Sequence, residues 1–402
     1  MLPDKIIQSG YDLHATMQFA RCHMNDDVQK LAFEARKHPE VDARFALDQI
    51  AGRQKAVSKL PSWARVEDLI FPPSLSMEQC SSEATALYKA SLAEGVTMVD
   101  LTGGFGVDFS FMARHFDKAV YVERQEPLCH IAEHNFQVLG LSHAQVANDD
   151  AERYLEAMLP VDLIYLDPAR RDGAGNRVFM LDDCTPSVPQ LLDLLLAKAR
   201  KVMVKLSPML DVHQALRQLR CVSDVHIVSV SGECKELLLM LEAGYEGDVK
   251  VVCVNDGMSF SYMLGEKSSE PSLWEGDLNH EEVYLYEPNA SMMKAGCFRQ
   301  LAQHYGVHQV AHDSHLFVSS RQIADFQGRK FMIKDLATLN GKDVKRKLAG
   351  VTQANVAVRN FPMKAAELAK RLKLKDGGNL YIFGTRLVNG KNVLLLCEKA
   401  QF

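Results

Sequence analysis

The feature that most constrains this chain is a regular alternation of strand and helix patterns between residues 76 and 245. Apolar runs such as residues 163–166 are typical of strands buried on both faces of a parallel sheet, and helical spacing recurs between them. The last two strand patterns are separated only by SGECKE, which is too short for a helical crossover. The sequence therefore predicts an α/β fold whose sheet is parallel and ends in an antiparallel hairpin.

The strand patterns of this sheet are runs of apolar and β-branched residues. They occupy residues 96–101, 119–123, 144–148, 162–167, 202–206, 225–230 and 237–242. The helical patterns between them occupy residues 107–115, 126–139, 150–158, 187–199 and 211–219. These elements leave only short connections, as expected when strands and helices pack in alternating layers.

Differences in hydrophobic periodicity and charge along the sequence divide the chain into four predicted domains. Residues 1–75 show helical spacing and end in a Pro-Pro turn, and residues 76–245 carry the predicted sheet. Residues 246–328 mix short strand patterns with a helix near residues 290–304, which predicts a small α+β domain. Residues 329–402 form a second small α+β domain, and this one is basic.

The formal net charge of −5 hides an uneven distribution of charge. Residues 329–375 carry 13 Lys and Arg against three acids, a net charge of +10, so the remaining residues sum to −15. A basic segment on an otherwise acidic chain indicates a polyanionic partner. Apolar residues interrupt its basic stretches, which predicts a folded basic surface rather than a tail.

Several classes of protein are disfavoured by the sequence. No apolar run approaches the roughly 18 residues of a membrane helix, and the N-terminal segment lacks the pattern of a secretory signal. The nine cysteines form no CxxC pair, and neither HExxH nor a clustered His and Cys spacing indicates a metal site. We therefore expect a cytoplasmic protein with reduced thiols and without a membrane or metal partner, and its oligomeric state stays open.

The strongest local signal is the segment DLTGGFG, which follows the first strand pattern and includes Asp100, Thr102, Gly104 and Gly106. Glycines between a strand and a helix let the backbone approach a ligand closely, and the helix N-terminus adds positive potential. A dinucleotide-binding fingerprint would need a further glycine where this chain has Phe109, and the carboxylate of Asp100 would repel a pyrophosphate. The acid instead suits a positively charged cofactor.

Acidic residues also end the next three strand patterns. Glu123 ends the second, where an acid can accept both ribose hydroxyls of a nucleoside. Asp150 and Ala151 follow the third, although Asp150 could simply cap the next helix. Asp167 and Pro168 follow the fourth. Because the carboxyl ends of parallel strands meet at one edge of a sheet, these residues are expected to line a single ligand site.

The chain resembles the class I S-adenosylmethionine-dependent methyltransferases that modify RNA, and more closely a bacterial group with a C-terminal THUMP-like domain. The segments that carry this resemblance are MEQCSSEATALYK, DLTGGFG, DPARRDG, GECKELLL, YEPNASMMKAG and ANVAVRNFPMKAAELAKRLKLKDGGNLYIFGTR. The resemblance implies S-adenosylmethionine as cofactor and a Rossmann-like catalytic sheet at residues 76–245. It also implies a ferredoxin-like domain at residues 246–328 and a THUMP-like RNA-binding domain at residues 329–402.

The resemblance assigns roles to single residues of the expected cofactor site. The turn that begins at Asp100 would surround the methionine part of the cofactor. Glu123 would hold its ribose, and Asp150 and Ala151 would contact the edge of its adenine. Gln79 and Ser82 would help to hold the cofactor carboxylate, unless they are merely exposed polar residues at a helix start. The predicted cofactor-binding residues are Gln79, Asp100, Thr102, Gly104, Gly106, Glu123, Asp150, Ala151, Asp167 and Pro168.

Departures from related motifs narrow the expected chemistry. Amino-nitrogen methyltransferases carry an aromatic residue that stacks on the target base, whereas this chain has Ala169 and Arg170 after Asp-Pro. Uracil-C5 methyltransferases need a cysteine at the end of the fifth strand, where this chain reads Leu-Ser-Pro. Cys184 is a nearby cysteine, but a lone cysteine is more simply a small core residue. We therefore predict direct transfer without a covalent enzyme intermediate.

The predicted catalytic residues are Asp167, Arg170 and Lys205. Asp167 would accept a proton or hydrogen bond from the target, and Arg170 with Arg171 would hold a phosphate or a base edge. Lys205 would be a base with a perturbed pKa or an electrostatic partner, and the alternative is a plain ion pair with a strand-end acid such as Asp167. The charges of GECKE would line the substrate entrance or form a solvated turn.

Two basic clusters are the predicted RNA-binding residues. Phe361, Tyr381 and Phe383 could stack on unpaired bases, and the alternative is a solvated face with core aromatics. The basic candidates are Lys342, Lys345, Arg346, Lys347, Lys370, Arg371, Lys373 and Lys375.

The function predicted from the sequence is methylation of a base in structured RNA, such as tRNA or rRNA, with S-adenosylmethionine as methyl donor. One alternative is a methyltransferase that acts on a protein or a small molecule. Another is a non-catalytic RNA-binding protein that retains the cofactor pocket. The intact Asp100, Gly104, Gly106 and Glu123 argue against the second alternative.

Overall fold

The computed structural model describes residues 12–35, 37–170, 181–279 and 282–400. Contacts between Cα atoms divide the chain into two compact units. The first unit comprises Met1–Val230 with Lys235–Val249, and the second comprises Ser231–Cys234 with Lys250–Phe402.

Helices dominate the N-terminal part of the first unit. Asp12, Asp42 and Ser82 begin three of them, because each side chain accepts a hydrogen bond from a backbone N–H of the first turn. Buried Trp63 and Phe71 from this region share a hydrophobic core with the sheet region. The helices are α1 Leu13–Cys22, α2 Val28–Ala35, α3 Ala43–Lys59, α4 Pro61–Ala64, α5 Ser74–Gln79 and α6 Glu83–Leu92.

Seven strands form the sheet of the first unit, and a two-stranded hairpin lies beside them. The strands are β1 Thr97–Asp100, β2 Lys118–Val122, β3 Ala144–Ala147, β4 Val161–Leu166, β5 Ala169–Arg170, β6 Cys184–Thr185, β7 Ala199–Leu206, β8 Val222–Val230 and β9 Glu233–Glu242. The helices between them are α7 Val107–Met112, α8 Glu126–Val138, α9 Ala151–Ala157, α10 Val188–Lys198 and α11 Val212–Gln218, with 3₁₀ turns at Ala113–His115 and Leu181–Asp183. The hairpin of β5 and β6 was not predicted from the sequence.

The sheet order in this unit is β3-β2-β1-β4-β7-β9-β8. β1 pairs in parallel with β2 and β4, and β4 pairs in parallel with β7, whereas β9 runs antiparallel to β7. The predicted α/β fold, a parallel sheet with a terminal antiparallel hairpin, is confirmed. Fully buried Tyr121, Tyr165 and Met203 pack in its core with residues of α7 and α8.

The second unit contains a hairpin and a seven-stranded sheet of order β13-β14-β12-β15-β18-β17-β16. The predicted helix at residues 290–304 is two helices interrupted at Gly296. The strands are β10 Lys250–Asn255, β11 Met258–Met263, β12 Tyr284–Pro288, β13 His308–Gln309, β14 Phe317–Ser319, β15 Gly328–Thr338, β16 Asn355–Arg359, β17 Leu380–Arg386 and β18 Asn392–Lys399. The helices are α12 Ala290–Ala295, α13 Phe298–Tyr305, α14 Gly341–Lys347 and α15 Ala365–Leu372.

The two faces of this second sheet bury different apolar residues. Phe331, Phe383 and Leu395 belong to one core cluster, whereas Ile382 and Leu394 belong to the other, as expected from alternating side chains along a strand. Val344 of α14 and Leu368 of α15 both join the second cluster. The two helices that carry most of the predicted RNA-binding residues therefore cover the same side of the sheet.

Candidate active site

The turn after β1 holds its backbone open toward a cavity. The backbone N–H of Gly103 donates to the carbonyl of Val122 at 2.9 Å, which ties the turn to β2. Gly104 and Gly106 have φ values of +57° and +81°, a left-handed conformation that favours glycine. A Cβ atom added to Gly104 would meet no atom nearer than the Thr102 carbonyl oxygen at 3.8 Å. The turn thus leaves room for a ligand against its backbone.

Glu123 at the end of β2 is fixed by the same turn. Its Oε2 accepts a hydrogen bond from the backbone N–H of Gly104 at 2.9 Å, and its Oε1 accepts one from Gln125 at 2.8 Å. Tyr121 of β2 donates its hydroxyl hydrogen to the carbonyl of Gly104. The carboxylate is buried, so its position is set before any ligand binds.

Asp100 is the most buried carboxyl group of the site, with only 1 % of the residue exposed. Its Oδ1 accepts a hydrogen bond from the backbone N–H of Thr102 at 2.9 Å. Burial, reinforced by repulsion from Asp108, Asp167 and Glu123, raises the pKa of Asp100 well above its usual range. A cation placed beside Asp100 would favour its ionised form.

Asp167 and Lys205 form an ion pair at the ends of β4 and β7. The Lys205 Nζ donates to Asp167 Oδ2 at 2.5 Å, and Nζ lies 3.8 Å from Asp108 Oδ2. The Asp167 backbone N–H donates to the Thr102 hydroxyl at 2.6 Å. Burial alone would lower the pKa of Lys205, but Asp167 and Asp108 raise it above its usual value. Lys205 therefore forms the ion pair with Asp167 that the sequence offered as one alternative, and its catalytic role stays a prediction.

Three further charged residues continue this ion pair into the interior. Lys89 Nζ lies 2.5 Å from Glu236 Oε1 and 3.2 Å from Asp108 Oδ1, and Lys89 is fully buried. We call Lys89, Asp108, Asp167, Lys205 and Glu236 the buried charge network, of which Asp167 is the most exposed member, with 41 % of its side chain accessible. Sequence reasoning missed Lys89 and Asp108, and it placed Glu236 at the substrate entrance or in a solvated turn, although each residue lies within or beside a segment that carries the family resemblance.

Asp108 is the centre of the buried charge network. Its Oδ2 accepts hydrogen bonds from the hydroxyls of Tyr165 and Ser81 at 2.7 and 2.8 Å. Burial alone would raise the pKa of Asp108, but the ammonium groups of Lys89 and Lys205 lower it. Asp108 is therefore held as a carboxylate between two lysines.

A cavity of about 690 Å³ at the carboxyl ends of the strands unites these groups. Lys205, Ser207 and Pro208 at the end of β7 also line it. All ten predicted cofactor-binding residues lie in its wall, namely Gln79, Asp100, Thr102, Gly104, Gly106, Glu123, Asp150, Ala151, Asp167 and Pro168. The structure thus brings together residues from five separate segments of the sequence.

Some predicted residues have a structural role as well. Asp150 caps α9, because its Oδ1 accepts hydrogen bonds from the backbone N–H groups of Glu152 and Arg153. Ser82 caps α6 through the backbone N–H of Thr85 at 3.3 Å. Asp150 still lines the cavity, whereas Ser82 is absent from the lining residues that the structure describes.

The loop after β4 is described only in part. Arg170 pairs through its backbone with Cys184 in the hairpin of β5 and β6, and Arg171 lies outside the described residues. Cys184 is buried and lines the cavity. Within GECKE, Lys235 lines the cavity, whereas Glu236 is buried behind it as part of the buried charge network.

Seven of the eight predicted RNA-binding residues are exposed in the second unit. Lys347 differs because its Nζ is held by Asp335 Oδ1 at 2.5 Å and by the Leu336 carbonyl. Phe383 is 1 % exposed and belongs to the core, so it is not available to stack on a base. We call the exposed residues the basic face, namely Lys342, Lys345, Arg346, Lys370, Arg371, Lys373 and Lys375.

Comparisons with known proteins agree with this architecture. Residues 328–399 match the model of a THUMP domain-like family, and residues 284–326 match that of a ferredoxin-like domain. The crystal structure named "putative methyltransferase from Porphyromonas gingivalis W83" is 31 % identical in sequence, with a TM-score of 0.86. The match covers 96 % of this chain and 98 % of that one. The chain belongs to this class I methyltransferase family with a C-terminal THUMP-like domain.

More distant structures match only part of this methyltransferase. An rRNA methylase from Streptococcus thermophilus is 16 % identical over 40 % of this chain and 93 % of its own, with a TM-score of 0.30. TrmK from M. capricolum, in complex with S-adenosylhomocysteine, is 9 % identical over 41 % of this chain and 70 % of its own, with a TM-score of 0.32. A search of curated proteins finds no match.

None of the helices in the described part of the chain has the length and apolar character needed to cross a bilayer. In residues 12–35, 37–170, 181–279 and 282–400, no three His, Cys, Asp or Glu side chains are grouped so that they could hold a metal ion.

Proposed function

We propose that this methyltransferase uses S-adenosylmethionine to methylate a base in structured RNA, such as tRNA or rRNA, by direct non-covalent transfer. One observation carries the proposal. Ten residues chosen from the sequence for cofactor binding line one cavity at the carboxyl edge of a parallel sheet, where α/β proteins bind ligands. The family membership supports the reaction class, and the basic face supports the choice of RNA.

The residues of the cavity fit S-adenosylmethionine. The bare Cα atom of Gly104 leaves space for a ligand, and the fixed carboxylate of Glu123 suits a ribose with two hydroxyls. Among the residues that the structure describes, Asp100 is hydrogen-bonded by the backbone N–H and the hydroxyl of Thr102 rather than by a cation, which suits the positively charged methionine part. When bound there, S-adenosylmethionine supplies a methyl group activated by the sulfonium.

The groups around Asp167 support direct transfer. Its described hydrogen bonds involve Oδ2 and the backbone N–H, so Oδ1 has no partner among the described residues. Oδ1 can therefore accept a hydrogen bond from an N–H group of the substrate that receives the methyl group. Lys205 orients this carboxylate through the contact between its Nζ and Oδ2. The end of β7 contributes Ser207 and Pro208 to the cavity instead of a cysteine. Proximity and orientation of the two reactants then supply much of the acceleration.

The basic face supports docking of a polyanion. Its seven side chains are exposed on α14, on α15 and on the segment that follows α15. Arg346 lies 2.9 Å from Asp343 but keeps 75 % of its side chain exposed. Lys and Arg arranged on one side of a folded domain bind a phosphate backbone by releasing counterions. RNA is the polyanion that the family resemblance favours.

The experiment that tests the proposal measures transfer of label from S-adenosylmethionine to total RNA of a strain that lacks this gene. RNase-sensitive label, lost with Asp167→Asn, would support the RNA enzyme. Label that survives RNase but not protease would show a protein substrate. Absence of label from a protein that binds S-adenosylmethionine would overturn the RNA substrate and leave a small-molecule methyltransferase or an RNA-binding protein.

A further inference from the structure

The short helix α5 and the residues after it form one wall of the cavity. Ser76, Gln79, Cys80 and Ser81 all line the cavity, and we call residues 76–81 the wall segment. Helix α5 has only six residues, no side chain among the described residues caps its N-terminus, and its own last turn has no basic residue. A helix this short is marginal in water unless tertiary contacts hold it. Contacts from elsewhere in the chain therefore fix its position.

Lys59, the last residue of α3, supplies contacts at the end of α5. Its Nζ donates to the carbonyl oxygens of Met77 at 3.0 Å and of Glu78 at 2.8 Å. The last carbonyl groups of a helix lack partners within the helix, and an ammonium group is a favourable donor to them. Lys59 is half-buried and is absent from the cavity lining that the structure describes. It therefore acts on the wall segment from behind.

The residues around Lys59 are packed against a second part of the same cavity. The rings of Trp63 and Phe71 lie 5.1 and 6.2 Å from the ring of Phe105, measured between centroids. Phe105 belongs to the turn after β1 and lines the cavity. Met77 shares the buried core of these three aromatic residues. The helical region that carries Lys59 is thus held in a fixed position relative to the cavity.

The far end of the wall segment is also anchored. The Ser81 hydroxyl donates to Asp108 Oδ2 of the buried charge network at 2.8 Å. Lys59 holds one end of the wall segment through backbone carbonyls, and Asp108 holds the other end. Gln79 and Cys80 lie between these two anchors and face the cavity. Loss of either anchor would let them move away from a bound ligand.

We infer that Lys59 is a positioning residue of the cofactor site, which holds the wall segment against the amino-acid part of S-adenosylmethionine. This inference rests on the proposed function, because it assumes that the cavity binds this cofactor and that Gln79 holds its carboxylate. Without the two hydrogen bonds from Lys59, the end of α5 shifts and the contact of Gln79 with the carboxylate weakens. The loss affects cofactor binding, since the ion pair of Asp167 and Lys205 keeps its contacts.

Lys59→Met tests this inference, because it keeps a long apolar side chain and removes the ammonium donors. The Kd values of S-adenosylmethionine and S-adenosylhomocysteine are both expected to rise about tenfold, because hydrogen bonds from a charged group are lost at a wall that both compounds contact. 5′-Methylthioadenosine lacks the amino-acid carboxylate, so its Kd is expected to stay at the wild-type value. Isothermal titration calorimetry of the full-length protein measures all three.

Lys55→Met is the matched control. Lys55 lies one helical turn before Lys59 on α3, and its Nζ contacts Glu78 Oε1 at 2.6 Å. The side chains of this pair are 39 % and 61 % exposed, and exposed ion pairs contribute little. The control therefore removes a lysine contact to the wall segment without removing a donor to its backbone. Lys55→Met is expected to keep wild-type affinities, and Lys59→Arg, which retains a cationic donor, is expected to keep most of the affinity.

The outcomes separate this inference from the proposed function. If the wild type binds neither S-adenosylmethionine nor S-adenosylhomocysteine, the proposed cofactor is wrong. If it binds them, wild-type affinity in Lys59→Met would overturn the role of Lys59. Equal effects of Lys55→Met, an arginine variant as weak as Lys59→Met, or an equal loss of affinity for methylthioadenosine would overturn it too. Thermal unfolding identifies the folded variants, and Lys59→Gln, with a shorter neutral donor, replaces Lys59→Met if the latter does not fold.

Discussion

Replacement of Gly104 by alanine separates cofactor binding from folding in this site. Gly104 adopts φ +57°, and an L-residue in this left-handed conformation costs about 1–2 kcal/mol of folding free energy. The added Cβ meets no protein atom nearer than 3.8 Å, so no clash adds to this loss. The same methyl group would occupy the space beside the cavity that a bound cofactor needs. We therefore expect a modest loss of stability and a loss of about tenfold or more in S-adenosylmethionine affinity, since tenfold corresponds to about 1.4 kcal/mol.

Gly140→Ala is the matched control for this prediction. Gly140 has φ +74° and no atom within 4 Å of an added Cβ, and it is not among the described residues that line the cavity. Chemical denaturation is expected to give both variants a similar loss in the free energy of unfolding. Calorimetry is expected to show weaker cofactor binding for Gly104→Ala only. Wild-type cofactor affinity in Gly104→Ala would refute the assignment of this turn to the cofactor.

Three further predictions concern charge. Asp100→Asn is expected to weaken cofactor binding, and wild-type affinity is expected to rise with pH in calorimetric titrations. The reason is that its raised pKa keeps the Asp100 carboxyl protonated at pH values where a carboxyl is usually ionised, whereas a cationic ligand favours the ionised form. An affinity that does not change with pH would contradict this prediction. Lys205→Met is expected to reduce methyl transfer, because Asp167 loses the ammonium group that orients it, and to destabilise the fold by about 1–3 kcal/mol, because buried carboxylate oxygens lose a partner; unchanged activity would exclude Lys205 as a residue that positions Asp167. Lys345→Gln and Lys370→Gln are each expected to reduce the salt dependence of RNA binding by about one phosphate contact. Lys347→Gln changes a residue that Asp335 already holds, so it is expected to alter stability instead of RNA binding. Equal effects of all three substitutions on RNA affinity would contradict the assignment of RNA binding to the basic face.

The sheet could be predicted because its signals are local. The apolar run at residues 163–166 and the short turn SGECKE determine strand direction without knowledge of distant contacts. The strand-end acids Asp100, Glu123 and Asp167 could be placed together for the same reason, since the direction of parallel strands brings their ends to one edge. The prediction of their location needed only the fold and the spacing of residues along each strand.

The buried charge network could not be predicted in this way. Lys89 and Glu236 are 147 residues apart, and neither has a neighbour in sequence that marks it as buried. A lysine in a helix and a glutamate beside a turn are usually exposed, so local patterns favoured solvated positions. Only the packing of α6 against the sheet shows that Lys89 is enclosed and that Glu236 neutralises it. Long-range ion pairs of this kind leave no periodic signal.

The structure also determines how the basic face has to be tested. Removal of residues 329–402 would separate cofactor binding from RNA binding only if that segment folded by itself. β15 begins at Gly328 and pairs with β12, so this truncation would expose the edge of β12 and remove Phe331 from the core that contains Leu285. A loss of RNA binding would then report unfolding of the second unit as well as loss of charge. Substitution of exposed lysines preserves the strands, so the change in salt dependence measures the contacts themselves.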